Sequence, residues 1–425
     1  MDDATVAEDR RGDRCPIVDF DVESPALARS WPEAYREMRS SCPRPWTESH
    51  GGHWIATRYK DIVGIAQMPE QFTSGKTFDS ETGQARGGIA VPISPIPALI
   101  PDETDRPEWQ GYRQFLNRRF APKAAEDRRV FAESIARTLI DRVIESGRFD
   151  IVGDLTNPLP ALLTMELFGF DLGDWHAFAD PIHKYVYLPR SLPEFQDAVR
   201  GIEAIRARIA DGAVDRRRNP RDDMLSYIAN GEIEGRRLDQ AEVIQMSLNI
   251  IFGGVDTTTA LTSSVLHFLS AHPEQRRRLI DDPSLIPVAR EEFVRYFSPV
   301  HGLSRNAADA VEFDGWAFQK GDRVLLAYAS GNRDEEIFDH PDELRIDRFP
   351  NHHIGFGAGM HRCLGSFFAR IMFESMLKEV LLRMPDYAVV GEEAVPYPSI
   401  SRVNGWITIP ATFTPGAKLG GGFPL

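Results

Sequence analysis

The spacing of apolar positions along the chain predicts a structure made mostly of helices. Apolar residues recur every three or four positions from Glu108 to about Arg218, from Asp239 to Ala271, from Pro273 to Tyr296, and from about Leu364 to Arg383. Asp239 is followed three residues later by Glu242, which is the spacing of a capping box. The sequence therefore predicts a long helix over 239–271.

Short stretches of alternating residues predict a minor β portion. His53–Tyr59 alternates between polar and apolar positions, as a half-buried strand does. Val311–Phe318 is typical of a hairpin, with Asp314 and Gly315 at its turn. We therefore expect a mainly α fold with a minor β region.

One long segment shows neither the three-to-four-residue spacing of a helix nor the alternation of a strand. Residues 74–107 are rich in Gly and Pro, and Pro at this density prevents a regular helix or central strand. The stretch from Gly87 to Pro101 is nevertheless apolar, and apolar loops of this length are often functional. Its apolar side chains include Ile89, Val91, Ile93, Ile96, Leu99 and Ile100.

Length and charge narrow the class of protein. The chain has 425 residues and no convincing linker, so we predict a leader over 1–20 and a single domain over 21–425. The net charge of −14 excludes a general nucleic-acid binder, which needs a basic face. The charged N-terminus predicts neither signal peptide nor membrane anchor, which favours the cytoplasm. The most apolar stretch, Ile244–Ala271, carries Asp256 and many hydroxyl side chains, which suits a buried helix.

The candidate chemistry begins with a cysteine. Cys15, Cys42 and Cys363 are far apart and include no Cys-x-x-Cys pair, so a disulfide framework is not expected. Cys363 precedes a predicted helix, whose free N–H groups stabilise a thiolate. A zinc site needs more ligands than the nearby His361 supplies. An inert core cysteine and a catalytic nucleophile both remain open from this segment alone.

Three further motifs support a buried functional site. Gly253 and Gly254 interrupt the long helix, just before Asp256 and Thr257. They indicate either a helix kink or close approach of a planar cofactor. Glu292 and Arg295 share a helix face and alone suggest an ordinary surface pair. Four-residue spacing likewise places two further residues on one helix face: Trp109 and Arg113.

Together these motifs resemble the cytochrome P450 family. Phe356-Gly-Ala-Gly-Met-His-Arg-Cys-Leu-Gly365 matches every fixed position of the family's haem-binding signature. Gly253-Gly-Val-Asp-Thr-Thr258 resembles its oxygen-activation motif, and Glu292-Phe-Val-Arg295 its Glu-x-x-Arg motif. The resemblance covers roughly 31–413, is similar to the soluble bacterial branch, and implies the P450 fold, with haem between a long central helix and the Cys loop.

The resemblance implies a role for each matching residue. Cys363 becomes the axial ligand of haem b, Thr257 hydrogen-bonds dioxygen and Asp256 relays protons. Glu292, Arg295 and Arg348 form a buried structural network. The residues implied at the haem are Trp109, Arg113, Arg305, Phe356, Gly357, His361 and Gly365, of which Trp109, Arg113, Arg305 and His361 serve the propionates.

The function implied is that of a haem-thiolate monooxygenase, which hydroxylates a mainly apolar small molecule with O₂. Electrons would come from a separate ferredoxin and ferredoxin reductase, docking near Arg113, Arg118, Arg119, Arg362 and Arg370. Desaturation, C–C coupling, peroxide-driven oxidation and a non-catalytic haem sensor or binding protein stand as alternatives. We expect the substrate pocket to include Ile93, Ile96, Ile250, Val300 and Leu303, with 180–195 as a lid.

Overall fold

The helices expected from the apolar spacing are present in the computed structural model, which describes residues 17–41, 44–420 and 422–423. The α-helices are α1 (Pro25–Ser41), α2 (Tyr59–Ala66), α3 (Glu108–Asn117), α4 (Pro122–Glu126), α5 (Arg129–Val143), α6 (Pro158–Phe168), α7 (Trp175–Tyr187), α8 (Pro193–Arg218), α9 (Met224–Ala229), α10 (Gln240–Ala271), α11 (Pro273–Asp281), α12 (Ile286–Phe297), α13 (Tyr328–Gly331) and α14 (Ser366–Arg383).

The β portion is small and divided among several sheets. The strands are β1 (Trp46–Thr47), β2 (His53–Ala56), β3 (Phe72–Thr73), β4 (Lys76–Phe78), β5 (Ala85–Gly87), β6 (Arg148–Asp150), β7 (Glu232–Ile233), β8 (Arg236–Arg237), β9 (Leu303–Ala307), β10 (Val311–Phe313), β11 (Trp316–Phe318), β12 (Arg323–Leu326), β13 (Ala388–Val389), β14 (Val395–Pro396), β15 (Trp406–Thr408) and β16 (Pro410–Thr412).

The largest sheet has the order β1-β2-β12-β9-β3. Strand β12 runs parallel to β2 and antiparallel to β9, so it joins the N-terminal part of the chain to the segment before the Cys loop. The predicted hairpin is confirmed as β10 paired with β11. Asp314 and Gly315 at its turn both have positive φ, as a two-residue turn of this kind requires.

Helix α10 is the centre of the helical portion and packs against α6, α8 and α14. Its predicted capping box is confirmed: the Asp239 carboxylate accepts from the Glu242 N–H, and the Glu242 carboxylate accepts from the Asp239 N–H. Apolar side chains such as Ile251 and Val255 are completely buried. The helix is therefore a rigid element on which a site can be built.

Three predicted boundaries differ from the structure. The strand expected over His53–Tyr59 ends at Ala56, and Tyr59 begins α2. The helix expected over 273–296 is divided into α11 and α12, because Pro283 prevents Asp282 from adopting helical angles. The leader expected over 1–20 begins to pack before its predicted end, since Ile17 bridges to Trp46 and Phe20 is buried. Residues 1–16, Cys15 among them, and Cys42 lie outside the described residues.

The long apolar stretch is a buried helix, as its hydroxyl and carboxyl side chains indicated. Within the ranges that the structure covers, no helix combines the length and the apolar character needed to span a bilayer.

Candidate active site

The Cys loop is shaped by two glycines ahead of α14. Gly357 and Gly359 both have positive φ, and a side chain on Gly359 would overlap the backbone of Ala66. The Cys363 N–H donates to the carbonyl of Phe356 at 2.8 Å, which closes the loop. The thiol is therefore held three residues before α14 begins.

Cys363 opens onto an internal cavity, to which its side chain is accessible, but it lies deep within the protein. Burial raises the pKa of its thiol, and the carboxylate of Asp102 acts in the same direction. The Gly365 N–H donates to the sulfur, and Arg113 and Arg362 contribute positive charge, so these groups oppose the increase. The N-terminus of α14 therefore reduces the increase that burial causes in the pKa of the Cys363 thiol, but the pKa stays above its usual value.

Helix α10 contributes Gly253, Gly254, Asp256 and Thr257 to the lining of the same cavity. The two glycines differ: a side chain on Gly253 would project into open space, whereas one on Gly254 would meet Thr164 of α6. The Thr257 hydroxyl donates to the Gly253 carbonyl, one turn back along the helix, at 3.0 Å. The helix nevertheless stays continuous from Gln240 to Ala271 and is not opened there.

The cavity has a volume of about 330 Å³ and is mostly apolar. The predicted pocket residues that line it are Ile96, Ile250, Val300 and Leu303. Ile93, also predicted, is not among the lining residues. Ser94 and Ile96 line the cavity, whereas Ile93 is partly buried outside its lining and Pro95 is exposed.

The ends of the apolar loop are fixed by a buried ion pair that the sequence did not reveal. The Glu103 carboxylate accepts from the N–H groups of Ile89 and Leu99, at opposite ends of the loop. Lys76 lies 3.5 Å from Glu103 and donates to the Ile96 carbonyl at 2.7 Å. The loop is therefore a braced wall of the cavity.

Donors that were predicted to meet the propionates gather around His361, which lines the cavity. Trp109 and His361 lie with ring centroids 5.7 Å apart, and Trp109 Nε1 and His361 Nδ1 are buried without a hydrogen-bond partner in the described structure. Arg113 donates to the Arg362 carbonyl at 2.7 Å. Burial, followed by the charges of Arg305 and Arg113, lowers the pKa of His361 to about 3.

Asp256 belongs to a hydrogen-bonded group that spans three segments. Its Oδ1 lies 2.6 Å from Nδ1 of His183 on α7, and the Tyr397 hydroxyl donates to it at 3.1 Å. The Asp256 carboxylate is almost completely buried, while the His183 side chain is 12% exposed. His183 and Tyr397 were not predicted, because neither lies in a recognisable motif. His183 therefore connects the buried Asp256 carboxylate of α10 with the partly exposed side of α7, and Tyr397 adds a second donor to that carboxylate.

Glu292, Arg295 and Arg348 form the network that the resemblance implies. Arg295 binds both carboxylate oxygens of Glu292 through Nε at 2.7 Å and Nη2 at 2.8 Å. Arg348 Nε donates to the same carboxylate at 3.1 Å. The Arg345 N–H and the Asn351 side chain add two donors that the sequence analysis missed. The carboxylate accepts hydrogen bonds from all of these groups while remaining inaccessible to solvent.

These observations test whether the residues fit a haem. Buried, unpartnered donors beside two arginines suit a pair of propionates. The Cys363 thiol, Gly253 and Gly365 all line the cavity, and neither glycine has other protein atoms within 4 Å of an added side chain. Over the described part of the chain, no cluster of three or more His, Cys, Asp or Glu side chains could hold a metal ion, so a zinc site is not found there. A planar, anionic cofactor ligated by one cysteine fits these residues.

Comparison with known proteins assigns the chain to a family. A sequence profile described as cytochrome P450 matches residues 285–384. The steroid C26-monooxygenase of Mycolicibacterium smegmatis is 33% identical over 91% of this chain and 94% of its own length. Cytochrome P450-terp of a Pseudomonas species is 30% identical over 90% of this chain and 93% of its own. The structure of CYP268A2 of Mycobacterium marinum in complex with pseudoionone has a TM-score of 0.83 at 28% identity, covering 95% of this chain and 100% of that one.

The chain belongs to the cytochrome P450 family. The relatives confirm the prediction of a P450 monooxygenase that acts with haem. The solved structure confirms the predicted fold class.

Proposed function

We propose that this enzyme hydroxylates a mainly apolar molecule held between the 89–101 loop and α10, against haem b ligated by Cys363. The observation that carries the proposal is that Cys363, Asp256 and Thr257 line one mostly apolar cavity. Haem supplies dioxygen activation when it is bound, and a thiolate ligand favours O–O cleavage. The roles of the surrounding residues follow from their positions.

Trp109, Arg113, Arg305 and His361 are proposed to bind the propionates. The two rings offer buried N–H donors, and the guanidinium groups add charge-assisted hydrogen bonds. Burial and the neighbouring arginines lower the pKa of His361 to about 3 in the protein alone, and a propionate beside the ring would raise it.

Protons are proposed to reach the cavity from His183 through Asp256 to Thr257. His183 Nδ1 is within hydrogen-bonding distance of Asp256 Oδ1, and His183 is the more accessible of the two. Asp256 and Thr257 are consecutive residues on the cavity wall. Tyr397 holds the carboxylate in place and does not itself ionise, because burial and then Asp256 raise the pKa of its hydroxyl well above 10.

The apolar walls favour an apolar substrate. Ile96, Ile250, Val300 and Leu303 line the cavity, and the Lys76–Glu103 pair holds the loop in position. A braced loop loses little conformational freedom when a ligand packs against it. The names of the relatives agree with this chemistry, since one acts on steroids and the solved neighbour binds pseudoionone.

Electrons are proposed to come from an acidic ferredoxin and its reductase. Arg118 and Arg362 are exposed, and Arg362 adjoins the ligand Cys363, so a partner docking there approaches the cysteine side of the haem. Arg370, which was expected in the same patch, is instead paired with Glu291 at 2.6 Å and stacked on Phe356. It is therefore unavailable to a docking partner.

The proposal is tested on the purified holoenzyme with a surrogate ferredoxin system. The reduced, CO-bound form should give the thiolate-type spectrum, and Cys363→Ala should lose it. Thr257→Ala should consume reductant but release peroxide in place of hydroxylated product, whereas Thr257→Ser should retain most of the coupling because it keeps the hydroxyl. Full coupling in Thr257→Ala would contradict the proposed proton route.

A further inference from the structure

One carboxylate in the cavity wall is not used by the protein's own contacts. Three carboxylates line the cavity: Asp102, Glu103 and Asp256. Glu103 accepts from two N–H groups of the apolar loop, and Asp256 is held by His183 and Tyr397. Within the part of the chain that the structure describes, Asp102 has no comparable set of donors. It is therefore the carboxylate of this cavity that is available to a ligand.

The Asp102 carboxylate is accessible from the cavity. The residue keeps some accessible surface although it lies deep within the protein, so that surface faces the cavity. Among the described residues, only the Asn249 amide donates to the carboxylate, and neither carboxylate oxygen belongs to the inaccessible polar atoms that lack a partner. At least one oxygen is therefore both accessible and without a protein donor. Because a carboxylate accepts up to about four hydrogen bonds, most of its capacity is open to a ligand.

The backbone that carries Asp102 is held in place. Asp102 follows the apolar loop directly, in a turn where the Glu103 N–H donates to the Leu99 carbonyl at 2.7 Å. Asn249 Nδ2 donates to the Ile100 carbonyl at 3.1 Å, which fixes the end of the loop to α10. A ligand that binds Asp102 therefore meets an acceptor whose position is already set, and it loses little free energy in ordering the wall.

The charges around Asp102 suit a neutral donor. Burial and then Glu103 raise the pKa of the Asp102 carboxyl, whereas Asn249, Arg113 and Arg305 oppose that increase. An ammonium group bound at Asp102 would have to be desolvated and would lie near both arginines. A hydroxyl group donates a hydrogen bond without bringing charge into the cavity. The ligand group that fits this position is therefore an alcohol.

We propose that Asp102 accepts a hydrogen bond from a hydroxyl group of the substrate, so that the preferred substrates are apolar alcohols. This inference rests on the proposed function, because it assigns a polar anchor within the same apolar cavity. Asn249, Gly253 and Thr257 follow one another at intervals of one turn along α10, and all three line the cavity. The Asn249 end of the anchor is therefore about 12 Å along the helix axis from Thr257, at about 1.5 Å per residue. The hydroxyl thus directs a remote carbon toward the oxidising centre.

The test is a spin-state titration of the holoenzyme at pH 7.4 with three matched pairs of probes. These are menthol and menthone, cyclododecanol and cyclododecanone, and cholestanol and cholestanone. Each pair keeps the carbon skeleton and replaces a hydroxyl group, which donates, by a ketone, which only accepts. For at least one skeleton, the alcohol should bind the wild type at least about tenfold more tightly than the ketone, which corresponds to about 1.4 kcal/mol.

The variants isolate the carboxylate. Asp102→Ala should reduce the alcohol-to-ketone ratio of affinities to about one. Asp102→Asn should also lower the ratio, because an amide is a neutral acceptor and donates to the ketone as well. Asp222→Ala removes a carboxylate elsewhere whose side chain is 96% exposed, and it should leave the ratio unchanged. The reduced CO spectrum confirms that each variant retains its haem and thiolate.

Two results would overturn the inference: ketones that bind as tightly as alcohols for all three skeletons, or an alcohol preference that survives in Asp102→Ala. If Asp102→Ala does not retain haem, Asp102→Asn takes its place, and an unchanged ratio there has the same meaning. If the ketones bind and are hydroxylated as well as the alcohols, only the hydroxyl anchor fails. If no alcohol or ketone binds while the CO spectrum is intact, the apolar-substrate proposal fails, and the anchor fails with it.

Discussion

Replacing Glu292 by Gln should be far more destabilising than replacing a carboxylate in a similar but exposed pair. Glu292 is completely buried, and its carboxylate accepts hydrogen bonds from Arg295, Arg345, Arg348 and Asn351. Gln preserves the shape but removes the charge, which leaves two buried guanidinium groups without a counter-ion. Removing one partner from a buried ion pair costs about 3–5 kcal/mol.

The chain offers a matched control for this substitution. Glu126 and Arg129 are also separated by three residues and lie 2.7 Å apart, but the Glu126 side chain is 56% exposed. Exposed pairs of this kind contribute about 0–1 kcal/mol, so Glu126→Gln should lower the free energy of unfolding by no more than that. The comparison holds the pairing geometry constant and varies the burial.

The assay is urea unfolding of the holoenzymes, followed by the Soret band and by tryptophan fluorescence. Domains of ordinary stability unfold with about 5–15 kcal/mol, so a loss of about 3–5 kcal/mol in Glu292→Gln should remove a large, measurable fraction of the free energy of unfolding. Asn351→Ala removes one neutral donor to Glu292 and should lower the free energy of unfolding by a smaller amount, about 1.5–3 kcal/mol. Free energies of unfolding within about 1 kcal/mol of wild type for both Glu292→Gln and Asn351→Ala would refute the reasoning.

Three further outcomes follow from the structure. His183→Gln should slow turnover and increase the solvent isotope effect, because the group beside Asp256 can no longer exchange protons; His176→Gln, exposed on the same helix, should not. Arg236 beside Glu242 holds the pKa of that carboxyl near 2, so its contribution to stability is complete above about pH 4.5 and is lost toward pH 2. The difference in urea stability between wild type and Glu242→Gln should therefore shrink over that interval, and a constant difference would contradict it. Arg118→Glu should slow reduction by an acidic ferredoxin at low salt, with the difference vanishing at high salt; equal rates at low salt would count against this docking surface.

Features determined by neighbouring residues were predictable from the sequence. The capping box needs only Asp239 and Glu242, three residues apart, and the structure forms it as expected. The hairpin needs only the Asp314-Gly315 turn between two short apolar runs. The Cys loop likewise carries its glycines and its ligand within ten residues. The division of the helix at Pro283 was also local, since the effect of proline on the preceding residue is known, but the apolar spacing concealed it.

Contacts across the fold that no family motif connects were not predictable, whereas the contact of Arg348 with Glu292 was expected from the family resemblance. His183, Asp256 and Tyr397 come from three segments separated by 73 and 141 positions, and none has a signature that refers to the others. Ile93 was predicted in the pocket from composition, yet the side to which a loop residue points depends on how the loop is anchored. Here the anchor is Glu103, which no pattern connects with the loop.

This difference explains why the sequence alone indicates the reaction, whereas the substrate has to be inferred from the structure. The residues that define the reaction lie in compact motifs, because ligation and proton delivery require groups at short, fixed separations. The residues that select the substrate are dispersed, because a cavity wall can be built from any segments that the fold brings together. Ser401, Arg402 and Val403 line the cavity, although no motif in the sequence marks them. Family membership therefore defines the chemistry, whereas substrate choice has to be argued from the side chains that face the cavity.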